Sequence, residues 1–267
     1  MDKSLLMPLD QYYKIDHPTP YKYVIEKNDQ YLYYIGSKHS YDPADPQFED
    51  IRSFFADFLR HTVATKEKSV EKSIVLVEGG ERPVGASEEE AIKEGAEISF
   101  VTYLAHQADR KVTSPEIPDG KRFELLLEHF SKEEIAYYCF VQVCWQWNNT
   151  HDKKSFREYI QVFLENNQTK SGWTDFDFSY ENMLRIHREL FNTEFDENDK
   201  DFINSIMHPH RDTSVINKIS KFDDSGLRDL YILDQIDQYW KNGMNMFIIY
   251  GDIHAVMQEP VLRTLAA

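Results

Sequence analysis

The sequence predicts an α/β protein with a mixed, mainly parallel central sheet, an N-terminal β-hairpin, helices on both faces and a helix-rich insertion in the middle. Three stretches carry that expectation. "YKYVIEKNDQYLYYIGS" is a pair of β-rich runs joined by Asn28-Asp29, a turn-prone pair. "SIVLVEGG" and "NMFIIYG" are short apolar runs ended by glycine, the pattern of strands covered on both faces. Between these stretches the apolar positions recur at helical spacing.

Each element follows from its own residues. The hairpin leads into Gly36, and a helix follows from about Pro46 to Arg60, because Phe48, Ile51, Phe55 and Phe58 share one helical face. The strand from Ser73 contains the apolar run Ile74 to Val77. Ser87, with Glu90 at the third helical position, opens a helix that runs to about Gln107 through Gly95. "RKVTSPEIP" is a short strand ended by Pro115. From Ser131 to Asn148 the chain is nearly all apolar; the length favours a buried helix, although the β-branched and aromatic content does not. Gln142 and Gln146 would share a face of it and satisfy buried backbone groups. Helices fill Asp152 to Asn166 and Tyr180 to Phe191, and a long one after "MHPHRD" has the stripe Leu227, Leu230, Leu233, Ile236 and Trp240. Asn242-Gly243 ends that helix, Asn245 to Tyr250 is the last strand, and a helix from about Ile253 closes the chain. No repeat or linker interrupts this order, so residues 1–267 read as one domain with a helical insertion at about 120–210.

Composition narrows the function. With 30 basic against 46 acidic residues the net charge is −16, and no Lys/Arg run occurs, which argues against nucleic acid and anionic membranes as partners. No window reaches the roughly 18 apolar residues of a membrane span, and no signal peptide precedes the hairpin, so the expected location is cytoplasmic. Cys139 and Cys144 lie five apart in an apolar run, which matches no zinc or redox spacing and predicts buried thiols.

In α/β sheets, ligand sites gather at the carboxyl ends of strands, where loops converge and helix N-termini present free N–H groups. The polar residues just beyond each strand are therefore the candidates: His39, Glu78, Glu116, Asp252 and His254. The two imidazoles and the carboxylates suit either a divalent transition metal with open positions or a metal-free site in which histidine is a general base. Glu78 directly follows Ile-Val-Leu-Val, where a carboxylate loses water and needs a metal, an arginine or a proton. "HPHRDTSV" offers His208 and His210 as a further ligand pair, and Arg211 beside the capping candidates Asp212 and Thr213 as a group free to reach a carboxylate or an oxyanion.

Taken together, Gly36-Ser37-Lys38-His39, Val77-Glu78, Arg211-Asp212 and Gly251-Asp252-Ile253-His254 resemble the TraB/Tiki superfamily, whose relatives include erythromycin esterase-like and ChaN-like proteins. The resemblance implies a hydrolase, peptidase or esterase, of an amide or ester bond in a small-molecule or peptide substrate. It implies His39, Glu78 and His254 as ligands of a divalent metal ion (Mn, Co, Fe or Zn) and Arg211 as the site arginine; beside these, Glu116 is the candidate that completes the site or acts as base, and Ser37, Asp252 and Asp212 are the candidate substrate contacts. Ser37 stands where erythromycin esterases carry Glu, which argues against that branch and its metal-free histidine base. A metal-free esterase and a non-catalytic small-molecule-binding or scaffold protein are the alternatives.

Overall fold

The computed structural model describes residues 1–63, 72–80, 82–149 and 155–267. They form two compact units, Met1–Glu116 with Arg228–Ala267, and Ile117–Leu227. In the first, a short helix α1 (Leu9–Tyr12) precedes the hairpin of β1 (Tyr21–Lys27) and β2 (Gln30–Ser37), followed by α2 (Gln47–Val63), β3 (Ser73–Val77), α3 (Glu88–Gln107) and β4 (Lys111–Thr113). The second holds α4 (Asp119–Leu127), α5 (Lys132–Asn149), α6 (Phe156–Ser171), α7 (Tyr180–Phe191), α8 (Lys200–Met207) and α9 (Val215–Phe222). A π-helical turn, Asp223–Arg228, leads back to the first unit through α10 (Asp229–Lys241), β5 (Asn245–Gly251) and α11 (Asp252–Leu262).

The sheet has the order β1-β2-β5-β3-β4, antiparallel only between β1 and β2. This is the mixed, mainly parallel sheet with an N-terminal hairpin that the sequence predicts. Asn28 and Asp29 make the hairpin turn at φ 52° and 62°, a left-handed conformation that these two residue types tolerate. Alternation along the strands builds two cores. Leu32, Tyr34, Ile74, Leu76, Met246 and Ile248 face α10 and α11, while Tyr33, Ile35, Val75, Val77, Phe247 and Ile249 face α2 and α3. β3 and β5 are thus apolar on every residue between their ends because both faces are covered. Each such large side chain contributes roughly 1.5–3 kcal/mol on burial.

The helical insertion forms a compact unit because α5 supplies a core for it. Ile135 to Val141 are buried without interruption, and α4 and α6 to α9 pack around them. Burial on all sides explains how a segment rich in aromatic and β-branched residues stays helical, since packing overrides propensity. The unit runs to Leu227, beyond the expected end near residue 210. Gln142 donates to the Tyr138 hydroxyl at 2.9 Å rather than to backbone, and Gln146 is exposed. Of the helix expected from Asp152, residues 152–154 lie outside the described residues, and α6 begins at Phe156, capped by Ser155. Leu227 belongs to the π-helical turn, and the buried stripe of α10 is Ile232, Leu233, Ile236 and Trp240. Both cysteines are buried free thiols, and no helix among the described residues is long and apolar enough to cross a membrane.

In the second unit, His187 is buried with Nδ1 2.6 Å from the Tyr137 hydroxyl and Nε2 3.1 Å from Thr193 Oγ1. Burial holds its pKa below the ordinary histidine value. The unfolded chain therefore takes up this proton first, so the stability linked to His187 is full above the unfolded pKa of about 6.5 and is lost as pH falls through that value. Urea titrations between pH 7 and 5 are expected to show a shallower acid slope for His187→Gln than for the wild type; equal slopes would refute this.

Candidate active site

The carboxyl ends of β2, β5, β3 and β4 lie along one edge of the sheet, and their following residues meet there. At the end of β2, a Cβ on Gly36 would sit 2.6 Å from the Ala255 Cβ and 2.7 Å from the Asp252 Cα. Only glycine allows α11 to approach this closely. Beyond it, the buried Gln47 amide clamps the turn, accepting from Lys38 N at 3.3 Å and donating to Lys38 O at 3.0 Å. That clamp places His39, whose side chain is 64% exposed and whose Nδ1 lies 2.6 Å from Oε1 of the fully buried Glu97.

The glycine of the second G-x-x-H motif serves differently. Gly251 is the N-cap of α11, and its N–H donates to Glu78 Oε2 at 2.7 Å, so the carboxylate sits on a helix N-terminus. Arg228 completes the cluster. Its Nη2 donates to Glu78 Oε1 at 2.9 Å and to Glu116 Oε1 at 2.8 Å, its Nε to Glu116 Oε2 at 2.9 Å, and its Nη1 lies 3.0 Å from His254 Nε2. Gly79 N also donates to Glu116, at 3.1 Å. Behind the imidazole, Asp229 Oδ1 lies 2.8 Å from His254 Nδ1 and accepts from Gln258 Nε2 at 2.6 Å; Gln258 in turn accepts from the Tyr34 hydroxyl at 2.9 Å.

The electrostatics follow from these contacts. Burial raises the pKa of Glu78, but His254 and Arg228 outweigh it and hold the carboxyl below its ordinary value. Glu116 is likewise lowered, burial being overcome by Arg228. For His254, burial opposes the charge, Asp229 overcomes it, and the imidazole is pushed up to about 9. The Arg228 Nη1 contact is a hydrogen bond only when His254 Nε2 carries no proton; Glu78 Oε1 lies 3.7 Å from the same nitrogen, an ion-pair distance for the imidazolium. His39 is raised chiefly by its hydrogen bond with Glu97, against burial, and the charges of Glu78 and Arg228 also reach it.

The structure therefore brings Glu78, Glu116 and His254 into direct contact through Arg228 and sets His39 within their field. Ser37 is buried beside Gly251 in the sheet register, and its hydroxyl has no partner among the described residues. Asp252 turns to the N-terminal segment, accepting from the Tyr12 hydroxyl at 3.3 Å and Thr19 Oγ1 at 3.0 Å. Arg211 and Asp212 belong to the second unit, where Asp212 is exposed 3.8 Å from Lys218 Nζ and Ser214, not Asp212 or Thr213, caps α9. His208 and His210 are in that unit as well, with ring centroids 5.2 Å apart. The arginine that touches the carboxylates is Arg228, and the chain has a second Arg-Asp pair, Arg228-Asp229, which could have signalled it. That pair falls inside an apolar helical stripe, where charges read as a solvated face. Glu97 and Gln47 were also missed. Gly95, two residues before Glu97, was the available signal for the former.

Comparison with protein-family models, with curated proteins and with solved structures finds no match to this chain.

Two outcomes follow from this geometry. Gly36→Ala is expected to destabilise by about 1–3 kcal/mol, because the clash is with backbone that cannot rotate away; an unchanged denaturation midpoint would refute the close approach. His254 binds its proton more tightly folded than unfolded, so its stabilisation is complete below about pH 6.5 and is lost as pH rises to about 9. The wild type is expected to lose on the order of 3 kcal/mol across that window, and Asp229→Asn markedly less, as read by urea titration at each pH.

Proposed function

We propose that this chain is a metal-free hydrolase of ester or amide bonds, with a small-molecule or peptide substrate and a cytoplasmic location, in which His39 is the general base and Arg228 the oxyanion group. The observation that carries the reading is the His39–Glu97 pair. One ring nitrogen is held by a buried carboxylate, while the other has no partner among the described residues on a side chain that is 64% exposed. That is the arrangement of a base with an orienting acid behind it. His39 takes a proton from water, the water oxygen adds to the carbonyl carbon, and Arg228 stabilises the charge that develops on the carbonyl oxygen; the adduct then collapses with cleavage of the ester C–O or amide C–N bond, and the departing alcohol or amine takes the proton back from His39. Glu78 and Glu116 hold the guanidinium in place and are too weakly basic, with lowered pKa values, to serve as the base themselves.

The resemblance to the TraB/Tiki superfamily supports a hydrolase, and the site favours the metal-free form found in its erythromycin esterase-like relatives despite Ser37. The donor set does not fit a metal as it stands. The oxygens of Glu78 and Glu116 that would bind the ion accept from Arg228, a permanent cation whose Nη1 also lies 3.0 Å from His254 Nε2. His39, the remaining expected ligand, turns Nδ1 to Glu97.

A panel of p-nitrophenyl esters and peptide amides tests the reading, with elemental analysis of the dialysed protein alongside. Turnover is expected to survive exhaustive chelation, with kcat/KM rising with pH on a limb displaced above 6.5 because His39 must be neutral. His39→Ala should lower kcat by roughly 10²–10⁴ and Arg228→Lys by about 10². Activity abolished by chelation and restored by Mn, Co or Zn would overturn the metal-free form. A folded protein that cleaves no ester or amide would overturn the hydrolase.

A further inference from the structure

We infer that Glu97 is a positioning residue that sets the tautomer of His39, with the proton on Nδ1 and the lone pair on Nε2, and that the break in α3 at Gly95–Ala96 exists to deliver it. Glu97 lies inside a stretch that the sequence reads as one helix. The backbone departs from helix at Gly95 (φ −153°, ψ 27°) and Ala96 (φ 54°, ψ −146°). Ala96 is an L residue in a region that only glycine enters freely, and such strain persists where the surroundings enforce it. Gly95 is required at the same turn, since a Cβ there would meet the Ser99 hydroxyl at 2.0 Å.

The side chain delivered by this break is itself unfavourable for the fold. Glu97 is 0% exposed, Oε2 has no partner among the described residues, and Oε1 faces His39 Nδ1 at 2.6 Å. Its only ion-pair partner among the described residues is that histidine, and burying a carboxylate so is a net loss for stability alone. The strained residue and the buried carboxylate are neighbours in the chain, and both are accounted for by one effect on His39. At 2.6 Å a proton must lie between Nδ1 and the carboxylate oxygen, because two lone pairs would repel, and with Glu97 ionised that proton belongs to Nδ1. The neutral ring then presents its lone pair at Nε2, on the largely exposed side chain. The tautomer assignment stands by itself; its consequence for rate rests on the proposed hydrolase.

The experiment uses the full chain labelled with ¹⁵N-histidine, the His39 signals being assigned from the spectrum of His39→Gln. In the wild type above the histidine titration, the ring shifts are expected to show His39 protonated on Nδ1. In Glu97→Gln, which keeps the side-chain shape, the signals should move toward the Nε2-protonated or averaged form. With a p-nitrophenyl ester that the wild type cleaves, kcat should fall at least tenfold at unchanged KM, and Glu97→Asp should recover part of the loss. A wild-type His39 protonated on Nε2 overturns the inference even if no variant folds, as does a Glu97→Gln protein that keeps the wild-type tautomer. A tautomer shift in a protein that cleaves no ester or amide leaves Glu97 in its role and removes the hydrolase.

Discussion

The site is assembled around one guanidinium. Arg228 leaves the π-helical turn before α10 and joins Glu78, after β3, to Glu116, after β4, while its third nitrogen meets His254 on α11. A guanidinium suits this place because its planar fork of five N–H donors spans two carboxylates at fixed geometry, which the point charge of an ammonium does not. Removing the cation would leave two largely buried carboxylates uncompensated, a loss of roughly 3–5 kcal/mol by the usual measure of broken buried ion pairs. A π-helical turn widens the backbone by one residue, and here its last residue, Arg228, and the residue after it, Asp229, reach opposite ring nitrogens of His254.

The two G-x-x-H motifs look alike in the sequence yet solve different problems. Gly36 is needed for space, since α11 passes where a side chain would be. A Cβ on Gly251 would have only an ordinary contact, 3.6 Å from Glu78 Oε2, so its contribution is the N–H that Glu78 accepts. The histidines diverge in the same way. His254 is buried between Asp229 and Arg228 and holds its proton to about pH 9, whereas His39 lies largely exposed against Glu97. One imidazole is therefore part of the charge network, and the other is available to a ligand.

The second unit pairs its buried charge in the same way. Arg122 Nε donates to Asp223 Oδ1 at 2.8 Å, and the Tyr138 hydroxyl donates to Asp223 Oδ2 at 3.0 Å, so the first residue of the π-helical turn is anchored to α4 and α5. Five residues later that turn delivers Arg228. The anchor and the site arginine are thus two ends of one short, irregular segment.

The sequence by itself determined the strands, their order along the chain and the strand-end positions of His39, Glu78, Glu116 and His254. Those are local matters: apolar runs of strand length, turn residues such as Asn28-Asp29, and the rule that polar residues collect where parallel strands end. Only the tertiary structure decided which arginine enters, that a buried glutamate stands behind His39, that α3 breaks at Gly95–Ala96, and that the helical stretch forms a unit of its own. The reason is that a charged residue on a helix has the same local pattern whether it faces water or a partner. Arg211-Asp212 and Arg228-Asp229 are the same dipeptide, and the difference between them lies in what the rest of the chain brings within hydrogen-bonding distance.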